Sequence, residues 1–190
     1  MEIYVIRHTE VSVPAGSCYG QTDVPLTAQA DEQIQAVVQQ LPTDFDQVIS
    51  SPLTRCRLLA AQISAVDRNV DDRLMEMNFG QWENQTWDDL DSEPLRLWME
   101  DFVYTKTPSG ESLEELYLRV EDFVEQLRLQ DYKKIALVTH AGVIRCIWAY
   151  LLEIPLHNIF KIPVVYGETL VVKLGEDKNR DQLVKTLIPS

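Results

Sequence analysis

Two short apolar runs in this chain each stop at a histidine. Ile3 to Ile6 leads into Arg7-His8-Thr9, and Ile135 to Val138 leads into Thr139-His140-Ala141-Gly142. An apolar run of that length, bounded by turn residues, is the pattern of a strand buried on both faces of a parallel sheet. Ligands of such sheets bind beyond the carboxyl ends of the strands. The pattern therefore predicts two strands that bring His8 and His140 to one rim, and the chain has only one other histidine, His157, which has no such context.

Between these runs the apolar spacing changes to that of helices. Glu10 to Leu26 is a loop punctuated by Gly and Pro, long enough to line a site. Ala30, Ile34, Val37, Val38 and Leu41 then fall on one helical face, with Thr27 as the expected N-cap and Pro42 as the stop. Gln47-Val48-Ile49 reads as a short strand. It leads into Ser51-Pro52, a helix-start signal with Ser51 at the N-cap and Pro52 at N1, continued by Leu58, Leu59 and Ile63. Arg55 would then lie in the first helical turn, where the helix dipole disfavours a cation. Either an anionic ligand or a salt bridge to one of the chain's own carboxylates satisfies it.

Residues 74 to 107 carry three of the four tryptophans, Trp82, Trp87 and Trp98, and Leu95, Trp98, Met99 and Phe102 predict a short amphipathic helix after Pro94. This segment reads as a helical cap inserted beside the sheet rim, its tryptophans serving packing more than substrate stacking. Ser112 and Glu115 are spaced as a capping box for a long helix whose stripe is Leu113, Leu116, Tyr117, Val120, Phe123, Val124 and Leu127. The second histidine strand follows, then a mostly apolar helix from about Val143 to Leu152. Thr169 to Leu174 and Leu183 to Ile188 are expected to pair across a polar loop. The alternation predicts an α/β fold in three layers, α/β/α, with a mostly parallel central sheet.

Composition narrows the function. With 190 residues and 45% hydrophobic content, one domain spanning 1–190 has core enough to need no disulfide or metal staple. Three widely spaced cysteines suit reduced thiols in the cytoplasm. No signal pattern precedes Ile3, and no apolar run approaches the roughly 18 residues of a membrane span. A net charge of −13 repels polyanions, so nucleic acid is not an expected partner.

Arg7, His8, Arg55 and His140 are the residues that a doubly wound sheet could gather at one rim. Two arginines and two histidines with no obligatory acidic partner favour an anion with several oxygens, and the arginine fork matches phosphate. Zinc is the competing use of paired histidines, but neither common zinc spacing occurs and Arg7 would repel a cation. No Gly-x-Ser-x-Gly elbow or phosphate-cradling glycine loop is present. If phosphoryl transfer is the reaction, a neutral histidine can be its nucleophile, and Arg7 and Arg55 would keep His8 neutral.

Five segments in order resemble the histidine phosphatase superfamily, in its phosphoglycerate-mutase-like branch. They are Arg7-His8-Thr9-Glu10, Ser51-Pro52-Leu53 with Arg55, Glu76 ahead of Phe79-Gly80-Gln81-Trp82-Glu83, Pro108 to Ser112, and Val138 to Gly142. The resemblance implies a metal-independent histidine acid-type phosphatase with no cofactor. It further implies that His8 forms a phosphohistidine, that Arg7, Arg55 and His140 hold the phosphoryl group, and that Glu76 is the acid and base; a solvated surface carboxylate is the plainer reading of Glu76. Cys18 to Leu26, which includes Gln21 and Thr22, and Val165-Tyr166-Gly167 resemble the alpha-ribazole phosphatases of cobalamin nucleotide-loop assembly. On that likeness Arg7, Gln21, Thr22, Arg55, Glu76, Ala141 and Tyr166 are expected to contact a small phosphate monoester, alpha-ribazole 5′-phosphate. Phosphoglycerate mutase and sugar-phosphate phosphatase are the alternatives within enzymes, and a non-catalytic phosphate-binding domain is the alternative outside them. Thr9 departs from the family's Arg-His-Gly, with a small expected effect on catalysis.

Overall fold

A six-stranded sheet in the order β4-β3-β6-β1-β7-β8 forms the centre of the computed structural model, which describes residues 1–189 apart from the Ser92 side chain. Ser190, the last residue of the expected domain, lies outside the described residues. In chain order the elements are β1 (Glu2–Arg7), β2 (Ser17–Cys18), α1 (Ala30–Val38), β3 (Phe45–Ser50), α2 (Thr54–Gln62), β4 (Ala65–Val70), β5 (Gln85–Thr86), α3 (Ser92–Glu100), α4 (Leu113–Arg128), β6 (Lys134–Thr139), α5 (Ala141–Leu152), β7 (Thr169–Lys173) and β8 (Gln182–Leu187). The β4, β3, β6 and β1 neighbours are parallel, while β7 pairs antiparallel with β1 and β8 antiparallel with β7. The sheet is thus mostly parallel, with helices on both faces, as the alternation of patterns predicts.

Why the first apolar run is a two-sided strand is visible in its packing. Tyr4 and Ile6 join Ile34, Val37, Leu59 and Val138 on the face covered by α1 and α2. Ile3 and Val5 join Leu116, Val120, Phe123, Ile144 and Ile147 on the face covered by α4 and α5. Successive side chains of a strand point to opposite faces, so an unbroken apolar run is what a strand between two helical layers requires. Leu90, Trp82, Trp98 and Val103 extend the α4/α5 core into the segment between β4 and α4. That segment holds α3 and three short 3-10 turns, and its tryptophans pack on one another, Trp82 to Trp98 with ring centroids 5.6 Å apart.

Several boundaries differ from expectation. Helix α1 begins at Ala30 with Gln29 at its N-cap, while Thr27 contributes only its carbonyl, to Ala30 N–H. Helix α2 begins at Thr54 with Leu53 at its N-cap, because Ser51 turns inward and its hydroxyl meets His140. The Asp23 carboxylate caps α2 from outside, accepting from the Thr54 N–H and hydroxyl. Helix α3 starts two residues before Pro94, capped by Asp91, and ends before Phe102. Helix α5 starts at Ala141, directly after His140. The Ser112 and Glu115 capping box forms as expected. Strand β4 gave no apolar signal because it is an edge strand, paired on one side only, and five of its six residues are exposed. All three cysteines are free and buried. Among the described residues, no helix is long and apolar enough to cross a membrane.

Candidate active site

Arg7 of β1 and Thr139 of β6 are register partners on adjacent parallel strands, so the next residue of each strand, His8 and His140, leaves the sheet side by side. Their ring centroids are 5.1 Å apart, and both residues are at most 1% exposed. His8 N–H donates to Thr139 O at 3.0 Å, which extends the pairing by one bond past the strand end.

The His8 ring has a defined tautomer. Its Nδ1 lies 2.7 Å from the Thr9 carbonyl, which can only accept, so Nδ1 carries the proton and Nε2 presents a lone pair. Burial pushes the His8 pKa well below the usual histidine range, with Arg55 and then Arg7 adding to that push and the Thr9 carbonyl opposing it. Burial, and not the arginines alone, therefore keeps the ring neutral. His140 is lowered in the same way, first by burial and then by His8 and Arg55. Its Nε2 lies 2.8 Å from Ser51 Oγ and 3.4 Å from Cys56 Sγ, contacts that fix the rotation of the ring. Thr9 is buried and is not among the residues with positive φ, so this backbone accepts a side chain where the family pattern has glycine.

Arg55 is fully buried. Its Nη1 donates to Thr22 O at 2.8 Å and its Nη2 to Gly20 O at 2.6 Å, while Nε is sealed from solvent without a partner. Arg7 donates through Nη1 to Val164 O at 2.7 Å, and its guanidinium lies 3.8 Å over the Tyr166 ring. Tyr166 in turn faces His8, with ring centroids 5.6 Å apart, and its hydroxyl pairs with that of Tyr19 at 3.1 Å. Neither arginine forms an ion pair among the described residues, so the salt-bridge reading of Arg55 is not the one realised. A buried cation compensated only by carbonyls and the face of the Tyr19 ring, 5.3 Å away, is a costly arrangement that an anionic ligand relieves.

Glu76 is not a solvated surface carboxylate. Both of its oxygens accept from Gly142 N–H in the first turn of α5, at 3.1 Å each, and Oε1 also accepts from Met77 N–H at 3.0 Å. A Cβ at Gly142 would overlap Glu76 Oε1, so glycine is required for this approach. Ala141, the first residue of α5, presents one of the N–H groups that a first helical turn leaves without an intrahelical acceptor, in the place where helices bind anions.

Gln21 and Thr22 are placed here too, but their backbone donors are committed. Glu83 Oε1 accepts from Gln21 N–H at 2.9 Å, and Oε2 accepts from Thr22 N–H and hydroxyl at 2.7 and 2.5 Å. Gln21 Nε2 donates to Glu76 O at 3.0 Å. Glu83 thus holds the loop whose carbonyls hold Arg55, a role that its position in Gly80-Gln81-Trp82-Glu83 hints at but does not specify. Arg119, paired with Glu111 at 2.7 Å, donates to the carbonyls of Arg73, Met75 and Glu76 and fixes the approach to Glu76; no local pattern marked it. Among the described residues no group of three or more His, Cys, Asp or Glu is placed to hold a metal ion.

The family model that matches this chain is the histidine phosphatase superfamily (branch 1), over residues 3–186. The chain is 31% identical over 177 residues to the adenosylcobalamin/alpha-ribazole phosphatase of Escherichia coli K12, covering 88% of this chain and 87% of that protein. It is 26% identical over 189 residues to phosphoserine phosphatase 1 of Hydrogenobacter thermophilus, covering 94% and 89%. The crystal structure of the alpha-ribazole phosphatase from Shigella flexneri superposes with a TM-score of 0.87 at 29% identity, covering 100% of this chain and 96% of that one.

Proposed function

Because the chain belongs to branch 1 of the histidine phosphatase superfamily, we propose that it hydrolyses alpha-ribazole 5′-phosphate through a phosphohistidine formed on His8. It is a phosphoric monoester hydrolase by that membership. The observation that carries the phosphoryl reading is the pairing of two arginines free of carboxylates with a neutral histidine whose Nε2 lone pair is available. In a chain with 30 acidic residues, the lack of an ion pair to Arg7 or Arg55 among the described residues supports an anion site at that rim. The substrate reading is supported by the alpha-ribazole phosphatases that match most of both chains.

The steps follow from the placement of the groups. Arg7, Arg55, His140 and the start of α5 at Ala141 take the phosphoryl oxygens, and stabilise charge there without reorganising. His8 Nε2 attacks phosphorus, and the bond from phosphorus to the ester oxygen breaks with its electron pair going to that oxygen. The leaving oxygen takes a proton from the Glu76 carboxyl group. In the second step the Glu76 carboxylate takes a proton from water as the water oxygen attacks phosphorus. The bond from nitrogen to phosphorus then breaks, its pair returns to Nε2, and inorganic phosphate leaves. Glu76 Oε2 accepts a single protein hydrogen bond and so keeps a lone pair for this exchange. Gln21 and Thr22 act beside the substrate as the frame for Arg55 and Glu76, and Tyr166 holds the Arg7 guanidinium flat.

Residues 74–107 form a cap on the leaving-group side of a single domain in this reading. The three unpaired, buried thiols support a cytoplasmic location in this reading. Turnover of alpha-ribazole 5′-phosphate, 3-phosphoglycerate and sugar phosphates, each with and without a strong chelator, tests the proposal. A kcat/KM on alpha-ribazole 5′-phosphate at least about tenfold above the others, unchanged by chelator, is expected. Preference for phosphoglycerate or sugar phosphates would contradict the substrate assignment, and loss of activity with chelator would contradict metal independence.

A further inference from the structure

Arg145 lies on α5 one helical turn beyond Ala141, on the helix face that begins at the candidate phosphoryl site. Its Nε donates to Ile162 O at 3.0 Å, as Arg7 Nη1 donates to Val164 O at 2.7 Å. Ile162 is extended ahead of Pro163, and carbonyls two residues apart on an extended chain are separated by roughly 7 Å. The segment from Ile162 to Tyr166 is therefore a wall that holds Arg145 next to Arg7. Beyond Ile162 the wall continues to Phe160, a residue 48% exposed, whose ring lies 5.8 Å from Arg145 Cζ and 5.1 Å from the ring of Phe102.

Arg145 uses none of its terminal amino groups on the protein. Among the described residues it forms no ion pair, its single hydrogen bond is through Nε, and neither Nη1 nor Nη2 is sealed from solvent. Partial burial lowers its pKa, with Glu76 the leading charge opposing that shift and Arg7 reinforcing it. Those two residues bracket the bond to be broken, Glu76 at the leaving oxygen and Arg7 at the phosphoryl group. A cation with two free donor groups at that point faces whatever the leaving group carries.

We infer that Arg145 selects the substrate by binding an oxygen acceptor of the leaving group, about one pentose away from phosphorus, with Phe160 and Phe102 flanking that group. This rests on the phosphoryl site at Arg7 and His8. In alpha-ribazole 5′-phosphate the acceptor is a ribose hydroxyl, and the aromatic base meets Phe160. In phosphoserine the acceptor is the carboxylate. Arg145 is a specificity residue here and takes no part in the bond changes.

The test compares wild type, Arg145→Gln and Arg145→Lys on alpha-ribazole 5′-phosphate, ribose 5-phosphate, phosphoserine and phenyl phosphate. Phenyl phosphate has no oxygen beyond its ester and reports the phosphoryl chemistry alone. In Arg145→Gln the ratio of kcat/KM on the best oxygenated substrate to that on phenyl phosphate is expected to fall about 10-fold to 100-fold, the worth of a charged hydrogen bond, with Arg145→Lys between. A larger fall on the two ribose esters identifies hydroxyls as the acceptor, and a larger fall on phosphoserine identifies a carboxylate. An unchanged ratio overturns the inference. Wild type that turns over none of the four esters removes the phosphoryl site itself, a result distinct from an unchanged ratio.

Discussion

His8 and His140 meet because the residues before them, Arg7 and Thr139, are register partners on neighbouring parallel strands. A one-residue slip between β1 and β6 would move one histidine to the other face of the sheet, so the register of the core sets the geometry of the site. Burial on both faces of these strands fixes that register. It is also burial that leads in keeping both rings neutral.

This neutrality has a cost that appears in acid. Both histidines have folded-state pKa values depressed below the unfolded value of about 6.5. Above that pH neither state binds the protons, and the histidines do not affect stability. Below it the unfolded chain takes up protons that the native rings refuse, so stability falls as pH falls, until the folded pKa values are reached. Each histidine contributes a slope of about 1.4 kcal/mol per pH unit in that window. Urea unfolding of the ligand-free protein between pH 6.5 and 5 should show His140→Gln with a shallower pH slope than wild type by about that amount; parallel slopes would contradict buried neutral histidines.

Glu83 is expected to act through the Gln21 and Thr22 loop without touching substrate. Glu83→Ala leaves three backbone N–H groups, those of Gln21, Thr22 and Phe79, without their acceptor, at about 1–3 kcal/mol each, and loosens the carbonyls that hold Arg55. Thermal melting should record the lost stability, and kcat/KM should fall about 10-fold or more as the phosphoryl site loosens. Glu83→Gln, which keeps an acceptor oxygen, should recover part of both. Full activity with a normal melt in Glu83→Ala would remove this role.

Gly142→Ala should imitate the loss of Glu76. Its Cβ would displace the Glu76 carboxylate from the first turn of α5. General acid catalysis is worth about 100-fold to 10,000-fold, and matters most when the leaving oxygen is basic. Gly142→Ala and Glu76→Gln are both expected to lose more kcat on alkyl phosphates than on p-nitrophenyl phosphate in single-turnover assays. Equal losses on both ester types would place Glu76 outside proton transfer to the leaving group.

The sheet, its partners and the rim residues were legible because two-sided burial writes an unbroken apolar run, as in Ile3 to Ile6 and Ile135 to Val138. Strand β4 was not legible, because an edge strand paired on one side can be as polar as Asp67-Arg68-Asn69. Thr27 and Ser51 misled as N-caps for different reasons. Thr27 lies two residues before the actual N-cap, Gln29, and the hydroxyl of Ser51 is taken by His140, a partner 89 residues away. The contacts of Glu83, Arg119 and Arg145 were not legible either. A sequence with 30 acidic and 17 basic residues offers each arginine many partners, and only the folded chain shows which carbonyls and carboxylates it meets.

The central claim is that His8 Nε2 carries the phosphoryl group. Rapid mixing of enzyme with alpha-ribazole 5′-phosphate labelled in its phosphate, followed by an alkaline quench, measures it directly. Acid-labile label on the peptide that contains His8, absent from His8→Ala, is the expected result. Hydrolysis of the ester by wild type with no labelled enzyme, or label that persists in His8→Ala, would contradict it.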